Sequence, residues 1–600
     1  MRPSTAALLA AAILFAACSR APAPDETAPE DGASPEAAEQ LGALFDEHFQ
    51  RSLELNPLRA TFIGDNRYND RLANSIGPEH IQASLDLDKE FLQRLLEIDR
   101  DALSANERIS YDLFKLQREQ SIEGRRFPGE LQPMNQFRSI TTFFAQLGSG
   151  SGAHPFKTVK DYDDWLSRID DAVVYVDQAI TNMKEGMQRG VVQPRILMEK
   201  LVPQIDSQIV ENAEDSNFYK PVANMPENFS DEDRARLTAA FVDAIENKIV
   251  PAYERLSNFI GDEYLSAARE TVGLYALPDG EAWYAFNVKR TTTTDLTPQE
   301  IHQTGLDEVA RIQGEMRAVM EEVGFEGDLK EFFEFMNTDE QFYFDEPEQL
   351  IQGYRDMSDS IAALAPKLFD VFPKMAFEVR RVEPYREVSA SGGSYMSGTP
   401  DGSRPGIFYA NAYDIKARPK WAMEALFLHE AIPGHHFQIA LKIENENLPS
   451  FRRFGGFTAF SEGWGLYAES LGKELGVYTD PYQYFGALNA ELWRAIRLVV
   501  DTGLHAKGWS RQDVLDYMYA NSAVKPARAI SEAERFMAIP GQALAYKIGQ
   551  LKIREIRNKA EERLGDRFDV REFHTQVLMD GPMPLSMLEA KLDGWVASQL

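Results

Sequence analysis

His429-Glu430-Ala431-Ile432-Pro433-Gly434-His435-His436 sets three of the chain's nine histidines and a carboxylate into one short stretch of an apolar, helix-like segment running from Trp421 to Ile443. Imidazoles that are neutral near pH 7 bind a borderline cation such as zinc. A Glu directly after the first His is where helical metal-dependent hydrolases keep the base that deprotonates water. In the H-E-x-x-H pattern the two His lie one helical turn apart, so both rings reach one ion. Here Pro433 occupies the second His position. An unbroken helix would carry His435 about 9 Å further along the axis on another face, and His436 about 10.5 Å away, so neither could share an ion with His429. Pro433 cannot donate back to the His429 carbonyl, and Gly434 accepts unusual backbone angles. The spacing therefore predicts one helix with a bulge, which makes His435 the second ligand if it absorbs two residues and His436 if it absorbs three.

A third ligand is expected from another element. Phe457 to Glu469 reads as an aromatic-rich helix with Glu462 near its start and Glu469 two turns later on the same face. Glu462 is the better candidate. Two His and one Glu leave a fourth position open, the composition of a catalytic rather than a structural site, with one Zn2+ per chain.

The segments HEAIPGHHFQ, FSEGWGLYAES, RLVVDTGLHAKGWS and PGQALAYKIGQLKI, all between His429 and Ile553, resemble the bacterial family catalogued as domain of unknown function 885. That family in turn resembles, more distantly, helical zinc peptidases such as thimet oligopeptidase, carboxypeptidase Taq and angiotensin-converting enzyme. The resemblance implies a mainly α, zincin-like body with a deep cleft and a small β element beside the metal helix. It implies His429, His435 and Glu462 as ligands, Glu430 as base, and Tyr546 as the tyrosine that helps hold the transition state. Gly434-His435 falls where many such helices carry Gly-His, which favours His435 over His436 and leaves His436 on the substrate side. Similar enzymes lay an edge strand beside the metal helix. Gly406 to Asn411 would be that strand here, with Gly406 and Tyr409 against substrate. His505, in a block shared with the family, would be an orienting or oxyanion-binding imidazole. The plainer alternatives are a core tyrosine at Tyr546 and an ordinary surface strand at Gly406.

Composition narrows the function classes. A net charge of −31 and a pI near 4.8 argue against nucleic acid as a partner and favour basic or neutral peptides. Cys18 is the sole cysteine, which excludes an intramolecular disulfide and a Cys-based zinc site. Met1 to Ala17 reads as a secretory signal peptide. Phe15-Ala16-Ala17-Cys18 resembles a lipobox whose Cys is acylated, and Ser19 suggests outer-membrane sorting, on the periplasmic side of the envelope. Residues 18–40 read as the lipidated Cys and a solvated tether, and residues 41–600 as one large helical body. Nothing in the sequence sets an oligomeric state.

Helical periodicity runs through Leu41 to Leu55, Asp86 to Asp99, Asp231 to Ile260, Pro298 to Val323, Glu346 to Phe372, Pro481 to Lys507 and Gly541 to Leu564. Ala282 to Val288, Ala376 to Val382 and Gly406 to Asn411 are strand candidates, and Ser389 to Pro405 is rich in turn signals. Arg497, Asp501 and His505 lie four apart, and the Arg-Asp pair reads as a solvated ion pair. The expected function is zinc-dependent hydrolysis of peptides in the envelope, with membrane contact through the lipid alone. The rivals are a metal-dependent hydrolase of another amide bond, as in peptidoglycan fragments, and an inactive, metal-stabilised binding lipoprotein.

Overall fold

The periodic segments fold as helices around several apolar cores in a computed structural model that describes residues 34–383, 387, 390–400, 402 and 404–600. The signal peptide, Cys18 and most of the expected tether lie outside the described residues. Helix α1, Pro35–Leu55, starts earlier than its periodicity suggests: the Ser34 hydroxyl caps the Ala37 N–H and Ala37 is buried. Pro35 to Gln40, read as tether, is therefore helical.

Helix α2, Gly280–Thr292, occupies the weakly alternating Ala282 to Val288. Its buried positions Tyr284, Val288 and Thr292 are four apart, so helical spacing overrides the alternation. Helix α3, Pro298–Glu322, follows a Thr297/Glu300 capping box with Pro298 in its first turn.

The β element has three strands, β1 Phe377–Arg381, β2 Gly393–Met396 and β3 Gly406–Ala410, in the order β1-β3-β2. β1 runs parallel to β3 and β2 antiparallel to it. β3 is thus the central strand and has both edges paired. The strand expected to offer a free edge does not have one. The outer strands are β1 and β2, and the turn-rich sequence hid β2 because its residues are all half-buried and show no alternation. β2 also lies against the His429 helix, where a Cβ on Gly393 would meet the Leu426 side chain at 3.0 Å.

The His-rich segment forms two helices, α4 Met423–Glu430 and α5 His435–Glu444. It is followed by α6 Thr458–Ser470, α7 Pro481–Ala506, α8 Pro526–Ala538 and α9 Ala545–Leu564. α6 and α9 touch backbone to backbone: a Cβ on Gly463 would stand 2.5 Å from the Gly549 Cα. This close approach brings Glu462 and Tyr546, one and three residues from the two glycines, to the same place. Phe427, Leu428, Ala431, Phe437, Phe460, Trp464 and Tyr467 belong to one core, so the motif is set in the interior rather than on a surface loop. Among the described residues no helix is long and apolar enough to cross a membrane.

Candidate metal centre

Pro433 and Gly434 break the helix completely instead of bulging it. α4 ends at Glu430. Ala431 leaves helical geometry at φ −111° and ψ −104°, the Ile432–Pro433 bond is cis, and α5 starts at His435. The missing Pro433 N–H removes the helical bond to His429. A Cβ on Gly434 would sit 1.9 Å from the His429 carbonyl oxygen, so only glycine fits this turn. The indole N–H of fully buried Trp464 donates to the Pro433 carbonyl at 2.9 Å. Truncating such a Trp costs about 3–5 kcal/mol in typical cores, so the turn is firmly held.

This break brings the His429 and His435 rings to a centroid distance of 4.8 Å, nearly perpendicular. The Nε2 atoms of His429 and His435 each stand 3.5 Å from Glu462 Oε2. The donor atoms of the three residues all lie within 4.8 Å of one another. Bonds of 2.0–2.1 Å in a tetrahedron place ligand atoms about 3.3 Å apart, so the donor set and its spacing fit zinc. His429 is buried, whereas His435 and Glu462 are partly open to solvent, which leaves a side from which water or substrate enters.

Glu469 completes the arrangement around His429. Its Oε1 accepts from His429 Nδ1 at 2.7 Å, which fixes the ring and turns Nε2 toward Glu462. Arg494 donates to the same oxygen at 3.2 Å. Burial opposes a charged His429, but its hydrogen bonds to Glu462 and Glu469 prevail and push it up to about 9. Burial likewise opposes a charged Glu462, and its contacts with His429 and His435 hold it well below the usual carboxylate range. The two shifts are complementary: two carboxylates favour positive charge on His429, and two imidazoles favour negative charge on Glu462.

Glu430 is half-buried and makes no hydrogen bond or ion pair among the described residues, so its oxygens are free. The Tyr546 ring lies nearly parallel to His429 at 6.4 Å, and the Arg497 guanidinium covers its other neighbourhood at 4.8 Å. Burial, helped by Glu462, raises the Tyr546 phenol above its ordinary value. Tyr546 therefore stands beside the metal group, not in a remote core.

Other expected site residues lie elsewhere. His505 is fully buried, takes the Leu274 N–H on Nδ1 at 3.0 Å and directs Nε2 to the Phe536 carbonyl at 3.0 Å. Both nitrogens are spent in the core, and burial pushes it down to about 3, so it has no proton or lone pair for an oxyanion. His436 points to the sheet, with Nδ1 3.0 Å from the Tyr395 hydroxyl and its ring on Phe377. Gly406 makes room for that contact, since its Cβ would meet Tyr395 Oη at 2.5 Å. Tyr409 packs with Val382 and Ile407 inside the central strand's own small cluster. Gly406, Tyr409 and His436 are thus sheet-packing residues, not an open substrate edge.

Arg497 and Asp501 are not a solvated pair. Arg497 is buried and donates to Glu532 at 2.9 Å. Asp501 is fully buried and accepts from the Tyr284 hydroxyl at 2.6 Å and from the Gly541 N–H at 3.1 Å. Gly541, at φ +84°, makes the turn that leads into Tyr546, so Asp501 holds the approach to the site. Glu469 was visible in sequence as the second carboxylate on its helix face. The long-range roles of Arg494, Arg497 and Asp501 had no local signal. A cavity of about 330 Å³ lies behind α6, lined by Glu469, Ser470, Glu491, Lys547 and Arg554, and none of His429, His435 or Glu462 lines it.

A sequence profile described as "Bacterial protein of unknown function (DUF885)" matches residues 57–592. A solved structure, "the putative lipoprotein from Colwellia psychrerythraea", superposes with a TM-score of 0.88 at 29% identity, covering 94% of this chain and all of that one. "A putative lipoprotein of unknown function from Shewanella oneidensis" superposes at 0.72 with 19% identity over 92% of this chain and 99% of its own, a likeness of fold. No curated protein matches the chain.

Proposed function

The chain belongs to the DUF885 family, and we propose that it is a zinc-dependent peptidase acting on peptides at the periplasmic side of the cell envelope. The observation that carries this reading is the convergence of His429, His435 and Glu462 with an unpaired Glu430 and a parallel Tyr546 beside them. A zinc ion held by His429, His435 and Glu462 supplies Lewis-acid polarisation of water and of a carbonyl oxygen.

Glu430 acts as general base and then general acid, taking a proton at its carboxylate and passing it to the leaving amine. Among the described residues none hydrogen-bonds or pairs with its oxygens. Tyr546 donates a hydrogen bond to the developing oxyanion, and burial keeps its phenol protonated for that purpose. Glu469 fixes the His429 ring and Arg494 fixes Glu469, so the ligand set is oriented before substrate arrives. An extended peptide would pair along the outer edge of β2, which lies against α4. Cys18, acylated, would tether the body to the outer membrane, in keeping with lipoprotein relatives.

The test is a peptide digest read by mass spectrometry, with metal content measured on the same sample. Wild type should carry zinc and cleave peptides. Glu430→Gln should keep its zinc while turnover falls by at least about 10²-fold. Hydrolysis of muropeptides but not of peptides would move the reaction to another amide bond. Wild-type activity in Glu430→Gln would overturn the mechanism.

A further inference from the structure

We propose that the site recognises its substrate through an anionic group, the free C-terminal carboxylate of a peptide, which Arg528 binds with Arg494, Arg497 and Arg418 around it. This rests on the peptidase reading above and adds a direction to it: the enzyme works from the carboxyl end.

The chain is strongly acidic overall, yet arginines gather on the Tyr546 side of the metal group. Arg497 lies over Tyr546 at 4.8 Å, one ring away from His429, and Arg494 reaches His429 through Glu469. Arg535 and Arg497 share Glu532 at 3.2 and 2.9 Å, and the Trp493 indole donates to that same carboxylate at 3.1 Å. Arg528 lies over the face of Trp493 at 5.2 Å. A continuous path of contacts thus joins Arg528 to the metal group through Trp493, Glu532, Arg497 and Tyr546.

The cations outnumber their partners. Glu532 is divided between Arg497 and Arg535, and Glu469 between Arg494 and His429. Asp414 lies near Arg418, whose own hydrogen bonds go to the backbone of Asn411 and Ala417. The Nε atoms of Arg494 and Arg497 are buried without a hydrogen-bond partner. Arg528 makes no hydrogen bond or ion pair among the described residues. Its side chain is exposed to solvent and free to meet a ligand. Desolvation by its neighbours, with the charges of Arg497, Arg494 and Arg418 nearby and Glu532 in opposition, brings its guanidinium down to about 10. An arginine held among other arginines is satisfied by an anion, and its planar fork matches a carboxylate in two hydrogen bonds.

Position selects the terminal carboxylate. Arg418 lies next to Gly392, immediately before β2, with its Nε 3.7 Å from where a Gly392 Cβ would stand. A peptide paired along β2 therefore meets the arginine group at one end. A cationic cluster there accepts a chain's carboxyl terminus and repels its ammonium terminus.

The test is calorimetric binding to zinc-loaded Glu430→Gln protein, with and without Arg528→Ala. Three short peptides are compared: an all-alanine free acid, its C-terminal amide, and an amide carrying one internal glutamate. The free acid should bind about 10–100-fold more tightly than its amide, the value of a charge-assisted contact. Arg528→Ala should abolish that preference and leave amide binding unchanged, and Arg528→Lys should restore part of it. Equal binding of acid and amide, no binding of either, or a preference that survives Arg528→Ala overturns the proposal. If the glutamate-bearing amide binds as tightly as the acid, the terminal assignment is overturned in favour of a side-chain carboxylate. An acid preference lost in Arg528→Ala, in a wild-type protein that cleaves no peptide, would sink the peptidase reading while the anion site stands.

Discussion

Replacing Asp501 with Asn should flatten part of the pH dependence of stability. Asp501 is fully buried and titrates in the folded chain at about 7, against an ordinary 3.8, because desolvation outweighs the hydrogen bonds from Tyr284 and Gly541. Its folded pKa is raised, so the folded state binds a proton that the unfolded state has lost. The associated stability is complete below the unfolded value and is lost as pH rises toward and through about 7. A gap of about 3 units corresponds to about 4 kcal/mol over the whole window, and to about 2.5 kcal/mol between roughly pH 5 and 8. Asn cannot ionise, while its amide oxygen still accepts from the Gly541 N–H. Urea-unfolding midpoints at both pH values, for wild type and Asp501→Asn, read the difference directly. The variant should lose less stability on going to the higher pH. Parallel curves would mean that Asp501 is ionised in the fold, and the reasoning about its burial would be refuted.

Glu469→Gln keeps the shape but removes the charge that holds the His429 Nδ1 proton at 2.7 Å. Zinc affinity, measured by chelator competition, should fall about 10–100-fold, and an unchanged affinity would show that Glu469 does not orient the ligand. Tyr546→Phe should lower kcat by about 10²–10³-fold with zinc retained and KM little changed, and a kcat within a few-fold of wild type would remove the phenol from the mechanism. Cys18→Ala should move the protein from the membrane fraction to the soluble one with its activity intact, whereas continued sedimentation with membranes would count against lipidation.

Much of the fold was legible because helical periodicity is local. The stretches ending at Glu322 and Ala506 read from residue spacing alone. The His-rich run pointed to two of the three side chains that converge, His429 and His435, and Pro433 showed that the helix could not continue unchanged. Its full break was not legible, because the turn depends on Trp464, thirty-one residues away. β2 was hidden for a similar reason, since its pairing with β3 and not its own pattern makes it a strand. In sequence His505 read as an oxyanion-binding imidazole and Asp501 as half of a solvated ion pair. Their partners, Leu274 and Tyr284, come from two elements more than two hundred residues earlier, and burial reverses the reading of both. Of the arginines around Tyr546, Arg497 was marked in sequence only as half of an expected solvated pair, the others carried no signal, and the net charge pointed the other way.

The most direct measurement is the metal content of purified His435→Ala beside His436→Ala. A coordinating His cannot be replaced at the same geometry by a neighbour, whereas a His that packs on Tyr395 and Phe377 contributes no bond to the ion. His435→Ala should be emptied of zinc as fully as His429→Ala and Glu462→Ala, and His436→Ala should stay loaded. An empty His436→Ala beside a loaded His435→Ala, or full loading of both, would contradict the site.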